Sequence, residues 1–117
     1  MSSSILRDRS KAFANRIVAC CRVLKERRAE LPIINQLLRS GTSVGANIHE
    51  ARYAQGKKDF ISKLEIALKE INETEYWLEI LMKNDSLTQR EYSSMRSDCI
   101  AIRRMLIATI TKLKENL

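Results

Sequence analysis

Apolar residues recur along this chain with the three- and four-residue spacing of helix faces, in four stretches separated by short polar breaks. Leu6, Phe13, Ile17, Cys20 and Leu24 fall within a narrow arc when successive residues are set ~100° apart. That arc predicts a first helix from about Ser4 to Arg28, ending near Glu30. Pro32 suits the first turn of a second helix, where a missing N–H costs nothing, and this helix runs to about Ala54. Its inward face is Ile34, Leu37, Leu38, Gly41, Val44, Ile48 and Ala51. Gly56, followed by Lys57 and Lys58, marks a connector, and Asp59 or a neighbour starts a third helix. Phe60, Leu64, Ala67, Leu68, Ile71, Leu78 and Met82 form its inner stripe. The segment 84–86 breaks the pattern, and Thr88 with Glu91 three residues on has the form of a capping box. A fourth helix then buries Met95, Cys99, Ile102, Leu106, Ile110 and Leu113. Short connections force antiparallel neighbours, so the expected fold is all-α, an antiparallel up-down-up-down four-helix bundle forming one domain over residues 1–117.

Composition supports long helices and little else. One proline and three glycines leave few turns, and 44% hydrophobic with 30% charged residues fits a bundle with a solvated exterior. Cys20, Cys21 and Cys99 are odd in number and lack framework spacing, which implies a reduced, cytoplasmic setting. Neither a signal-type apolar stretch near the N-terminus nor a run of ~18 apolar residues is present, so no membrane association is expected.

Three positions on the helical wheels call for partners. Gly41 and Gly45 lie four apart inside the second helix, where glycine costs up to ~1 kcal/mol against alanine, so a close helix approach must offset them. Glu75 falls within the apolar arc of the third helix, and an unpaired carboxylate there would be expensive. Arg9, Arg16 and Arg27 at the edge of the first helix are its expected partners. Ile66, Trp77 and Ile80 cluster on the opposite side of the third helix, interleaved with Glu70 and Glu73. They read either as scattered surface hydrophobes or as a subunit interface anchored by the one tryptophan.

Ser43, Asn47 and Glu50 form a polar line at i, i+4 and i+7 beside the apolar face of the second helix. A nucleophile and base can be imagined there, yet His49, the one histidine, lies off that line and no oxyanion donors are evident. Nor do Glu65, Glu70, Glu73 and Glu79 form the Glu-x-x-His pairs of a di-metal bundle. The expectation is a protein without catalytic residues, metal or cofactor, in which the line is a polar seam to a neighbouring helix or subunit.

Charge is unevenly distributed. Residues 1–28 carry eight basic and two acidic side chains, and residues 59–85 carry three basic and seven acidic, within a total of +7. Arg7, Lys11, Arg22 and Lys25 share an arc of about 60° facing away from the core stripe, so they project as a row. Such a row matches the spacing of a phosphate backbone, with Arg103 and Arg104 adding to it. The alternatives are a solvated face or a partner for the acidic helix of another subunit. Aromatics for base stacking are missing from the row, so nucleic-acid binding there would be largely independent of sequence.

The segments RSGTSVGANIHEA (39–51), KKDFISKLEIALKE (57–70) and ETEYWLEIL (73–81) resemble the bacterial four-helix bundle family named after the protein encoded in intervening sequences of 23S ribosomal RNA genes. The resemblance is strong over residues 37–83 and rests elsewhere on helix length and pattern. Carried over by position, its motif residues are Ser43, Asn47, Glu50, Lys58, Asp59, Phe60, Glu73, Trp77 and Leu78, none with a catalytic role to transfer. Family members often have Glu-Gly where this chain has Glu50 and Ala51, which extends the second helix. The family is similar in fold to the accessory variability determinant of diversity-generating retroelements, a basic homopentamer that binds nucleic acid and a reverse transcriptase. The resemblance therefore implies a ring-like homo-oligomer, expected to be a pentamer, that binds RNA or DNA. The alternative it leaves open is an oligomeric scaffold docking a protein such as a reverse transcriptase.

Overall fold

The computed structural model of the protein describes residues 2–115, in which four helices follow one another: α1 (Ser2–Glu26), α2 (Leu31–Ala51), α3 (Lys57–Lys83) and α4 (Gln89–Glu115). Each packs on its sequence neighbour, and α4 closes back on α1, giving an up-down bundle 47 × 22 × 19 Å in extent. No helix among the described residues is long and apolar enough to cross a membrane.

Local chemistry explains where the helices stop. Arg28 (φ 60) and Asp85 (φ 65) take the left-handed conformation after α1 and α3. The N–H of the residue that follows each then bonds back, Ala29 to the Leu24 carbonyl and Ser86 to that of Leu81. Gly56, the predicted connector, plays a different part. Its backbone is fully extended, a conformation open to any residue, and it caps α3, which starts at Lys57. Asp59 in the first turn of α3 accepts the Gln55 N–H at 3.1 Å. Before α4 the expected capping box is present: the Glu91 N–H donates to Thr88 Oγ1 (3.1 Å) and the Thr88 N–H to Glu91 Oε1 (2.8 Å).

The core follows the predicted faces with corrections at their edges. Cys21 is buried instead of Cys20, which is only half covered. The reason is directional: α1 lies closer to α2 than to α4, so its buried face turns toward α2, where the Cys21 thiol donates to the Ile34 carbonyl. On α3 the buried set is Ile61, Leu64, Ala67, Ile71, Thr74, Leu78 and Leu81, with Phe60, Leu68 and Met82 half-covered at its flanks. On α2 Leu38 is likewise half-covered, while Ser40 is buried. The two hydroxyls no apolar pattern reveals, Ser40 and Thr74, meet across the α2–α3 seam at 3.0 Å.

Glu75 is also corrected. Its partners come from α4, where Arg103 (2.6 Å) and Arg96 (2.8 Å) both reach it. Burial pushes its carboxyl up, but the hydrogen bonds from the two guanidiniums outweigh that and leave it below its ordinary value. Two of the arginines expected to serve Glu75 tie α1 to α4 instead. Arg16 reaches Asp98 (2.7 Å) and Ser94, and Arg27 grips Glu91 with both terminal nitrogens (2.9 and 2.8 Å). Arg9 lies exposed on the same side of α1, beside the shallow groove against α4.

Gly41 and Gly45 turn out to set the α1–α2 distance. A Cβ at Gly41 would stand 2.7–2.9 Å from three carbons of Ile17, and one at Gly45 would stand 3.2 Å from the Ser10 carbonyl oxygen. Ile17 is fully buried and has nowhere to retreat.

Two outcomes follow for stability. Gly41→Ala should lower the unfolding free energy in urea by about 1–2 kcal/mol, since overpacking outweighs alanine's helix preference, and the loss should vanish in an Ile17→Ala background if that contact is its cause. Glu91 is held down to about 2 by Arg27 and by Thr88, below its ordinary 4.5. Its contribution is therefore complete above about 4.5 and is lost as pH falls toward 2. The difference in urea midpoint between the parent protein and Arg27→Gln should shrink across that interval.

Candidate nucleic-acid interface

The basic row predicted on α1 keeps its place. Lys11, Arg22 and Lys25 are exposed, and Arg7 is half-buried where α1 meets α2. At 1.5 Å per residue the row extends about 27 Å along the helix. Among the described residues Lys11, Arg22 and Lys25 make no ion pair, nor does the exposed Arg104 on α4. Arg103 differs. It is drawn against Glu75 and donates to Asn72 Oδ1 (3.1 Å), so its guanidinium is committed to the α3–α4 seam.

The acidic surplus of α3 is largely answered within the chain. Arg39 of α2 holds Glu70 (3.2 Å) and Glu73, Lys114 of α4 holds Glu65 (2.7 Å), and Arg96 and Arg103 hold Glu75. Hydrogen bonds from Arg39 and from the Trp77 indole keep the Glu73 carboxyl below its ordinary value.

The polar line on α2 resolves into helix-stabilising contacts. The Asn47 amide donates to the Ser43 carbonyl (2.8 Å), and Glu50 accepts Lys63 of α3 (3.0 Å). Of the three, Glu50 reaches α3 within the chain. On α3, Ile66 is 36% exposed and Ile80 half-covered. Trp77 packs partly on the core, donates its indole N–H to Glu73 (2.9 Å) and meets Tyr76 edge-on with ring centres 4.9 Å apart.

Two features escaped the sequence reading. Ile5, Ala12, Ala19 and Val23 form an exposed apolar line on α1, beside a groove of about 390 Å³ against α4 that Cys20, Leu87 and Met95 also line. Their five-turn register was present in the sequence but is broken up by intervening arginines. The second is a groove of about 550 Å³ between α1 and α2, lined by Arg7, Lys11, His49 and Arg52, together with Asp8 and Glu50. Beyond it stands Tyr53, 71% exposed, with the His49 ring 5.7 Å away and the Arg52 guanidinium 5.9 Å from its ring centre. No periodicity identifies this group, because its parts come from two helices and a helix end.

The fold is that of a small antiparallel four-helix bundle whose basic first helix keeps Lys11, Arg22 and Lys25 out of any ion pair among the described residues. Within that class the chain matches the 23S rRNA-intervening sequence protein family over residues 3–108, and it belongs to that family. A solved protein from Bacteroides thetaiotaomicron VPI-5482, described as of unknown function and from the S23 ribosomal protein family, shares 47% identity and superposes with a TM-score of 0.92. The match covers 95% of this chain and 99% of that one. No curated protein matches the chain.

The cysteines are poorly suited to chemistry. Burial pushes the Cys21 thiol up to about 11 and that of Cys99 up to about 12, which leaves little thiolate near neutrality. At pH 8 a disulfide-exchange reagent should label half-buried Cys20 first and reach Cys21 and Cys99 only as fast as the protein unfolds. Rapid native-state labelling of all three would contradict this account of the core.

Proposed function

We propose that this protein is a non-catalytic, oligomeric nucleic-acid-binding accessory protein of the cytoplasm, with RNA as its target, acting through the basic surface of α1. The observation that carries the reading is the division of charge. Glu65, Glu70, Glu73 and Glu75 of α3 are paired within the chain, whereas among the described residues Lys11, Arg22 and Lys25 stand in a row without ion-pair partners. An uncompensated row of this length suits a polyanion better than a single small anion. The family's description, which refers to a 23S rRNA intervening sequence, supports RNA as the polyanion. Arg104 can extend the surface, while Arg103, engaged with Glu75, serves the fold.

Self-association belongs to the same proposal, with a pentamer as the expected number. Exposed Ile66 on α3 and the line of Ile5 and Val23 on α1 supply apolar surface for it. Symmetric copies would multiply the basic row into a belt, which raises affinity for a long polyanion through multivalency. A scaffold that docks a protein such as a reverse transcriptase is the competing reading, favoured by the apolar groove between α1 and α4.

Fluorescence anisotropy with a labelled structured RNA separates the two. Replacing Lys11, Arg22 and Lys25 together by Glu should weaken binding at least about tenfold and lower the slope of log affinity against log salt by about 2. Lys69→Glu on α3 should change neither. Unaltered affinity in the triple variant, with its helical content intact, would remove the nucleic-acid reading and leave the scaffold.

A further inference from the structure

We infer that the groove between α1 and α2, together with Tyr53 at its end, is a platform for an unpaired segment of polynucleotide: phosphates lie along Lys11 and Arg52, and one base stacks on the Tyr53 ring. This deepens the nucleic-acid reading above and rests on it, adding the kind of strand recognised and the residue that recognises it.

An exposed tyrosine alone would need no explanation. What distinguishes Tyr53 is its surroundings. The His49 ring stands beside it at a 58° tilt, and Arg52 places its guanidinium over the ring. The Tyr53 N–H is bonded to the Glu50 carbonyl at 2.9 Å, so the backbone under the ring is held by the last turn of α2. Thr42, Ala46, His49 and Tyr53 follow one another at steps of four, three and four residues, so one side of α2 leads along the groove directly to the ring. Over those 11 residues that side runs about 16 Å.

The groove's electrostatics suit phosphate. Arg7, Lys11 and Arg52 line it, while the acid at its α2 lip, Glu50, is balanced by Lys63 at 3.0 Å. Asp8, the groove's other acid, is outnumbered by Lys11 and Arg52 alone. The other strongly exposed aromatic, Tyr76, is a useful contrast. It is 53% exposed but packs edge-on against Trp77, whose indole is bound to Glu73, and no cation is stacked over its ring among the described residues.

The geometry also selects the form of the strand. In a duplex both faces of each base are covered by its neighbours, and base edges alone are offered to a protein. A largely exposed ring beside cations can stack only with a base released from its neighbours, as in a loop, bulge or end. The α1 row, by contrast, answers backbone charge in either form.

The test uses the full-length protein, a 12-nucleotide unpaired strand in ribo and deoxyribo versions carrying 2-aminopurine, and a blunt duplex of the same composition. Tyr53→Ala should weaken binding of the unpaired strand about tenfold and abolish the quenching of 2-aminopurine, with duplex affinity changed less than about twofold. Tyr53→Phe, which keeps the ring, should behave as the parent protein. A preference between the ribo and deoxyribo strands, with the same Tyr53 dependence, identifies which strand the platform serves. If Tyr53→Ala leaves unpaired-strand affinity intact, or weakens the duplex equally, the platform is refuted. Should the Lys11, Arg22 and Lys25 reversal still weaken both forms in that case, the α1 reading survives alone. Failure of the parent protein to bind any of these nucleic acids would refute both.

Discussion

The close approach of α1 to α2 at Gly41 and Gly45 is the constraint on which the rest of the molecule depends. With no side chain at either position, Ile17 and the backbone at Ser10 occupy the space a Cβ would take. That contact rotates α1 toward α2, buries Cys21 in place of Cys20, and leaves α1 more loosely joined to α4. The seam with α4 is then spanned by long side chains, Arg16 to Asp98 and Arg27 to Glu91, instead of by interlocking apolar groups. Partly exposed pairs of this kind contribute modestly to stability, so steric fit on one side and geometry on the other divide the work of holding α1.

The same rotation decides what α1 shows to solvent. Its inward face is spent on α2, its Arg16 and Arg27 edge on α4, and the remaining arc carries Lys11, Arg22 and Lys25. Meanwhile α3, the acidic helix, lies between α2 and α4 and receives cations from both. The acids of α3 that are paired are neutralised at seams, while Lys11, Arg22 and Lys25 on α1 make no ion pair among the described residues. On the function proposed above, the distribution of charge over the bundle is what a polyanion would meet.

Much of the fold was legible because helices announce themselves locally. The apolar period placed all four, Thr88 and Glu91 announced the start of α4, and the paired glycines announced a close approach. Where expectation and structure part, the cause is a neighbour that no local pattern can name. Glu75 was recognised as needing a cation, but the wheel of α3 does not say whether α1 or α4 faces it, and Arg96 and Arg103 won by adjacency. Left-handed turns at Arg28 and Asp85 went unseen because neither is glycine, whereas Gly56, which drew the eye, sits in ordinary extended backbone. The candidate site was legible in part: the α1 row follows from one helix, while the Tyr53 group needs two helices and a helix end to be assembled.

By itself the sequence determined the number of helices, their antiparallel order and the charge each carries, since these depend on residue spacing and short connections within one stretch of chain. The tertiary structure alone decided which charges cancel and which remain, and which aromatic stands open beside them. Pairing is a matter of a few ångströms between side chains remote in sequence. Distances such as the 2.6 Å from Arg103 to Glu75 exist only after packing has chosen each helix's rotation.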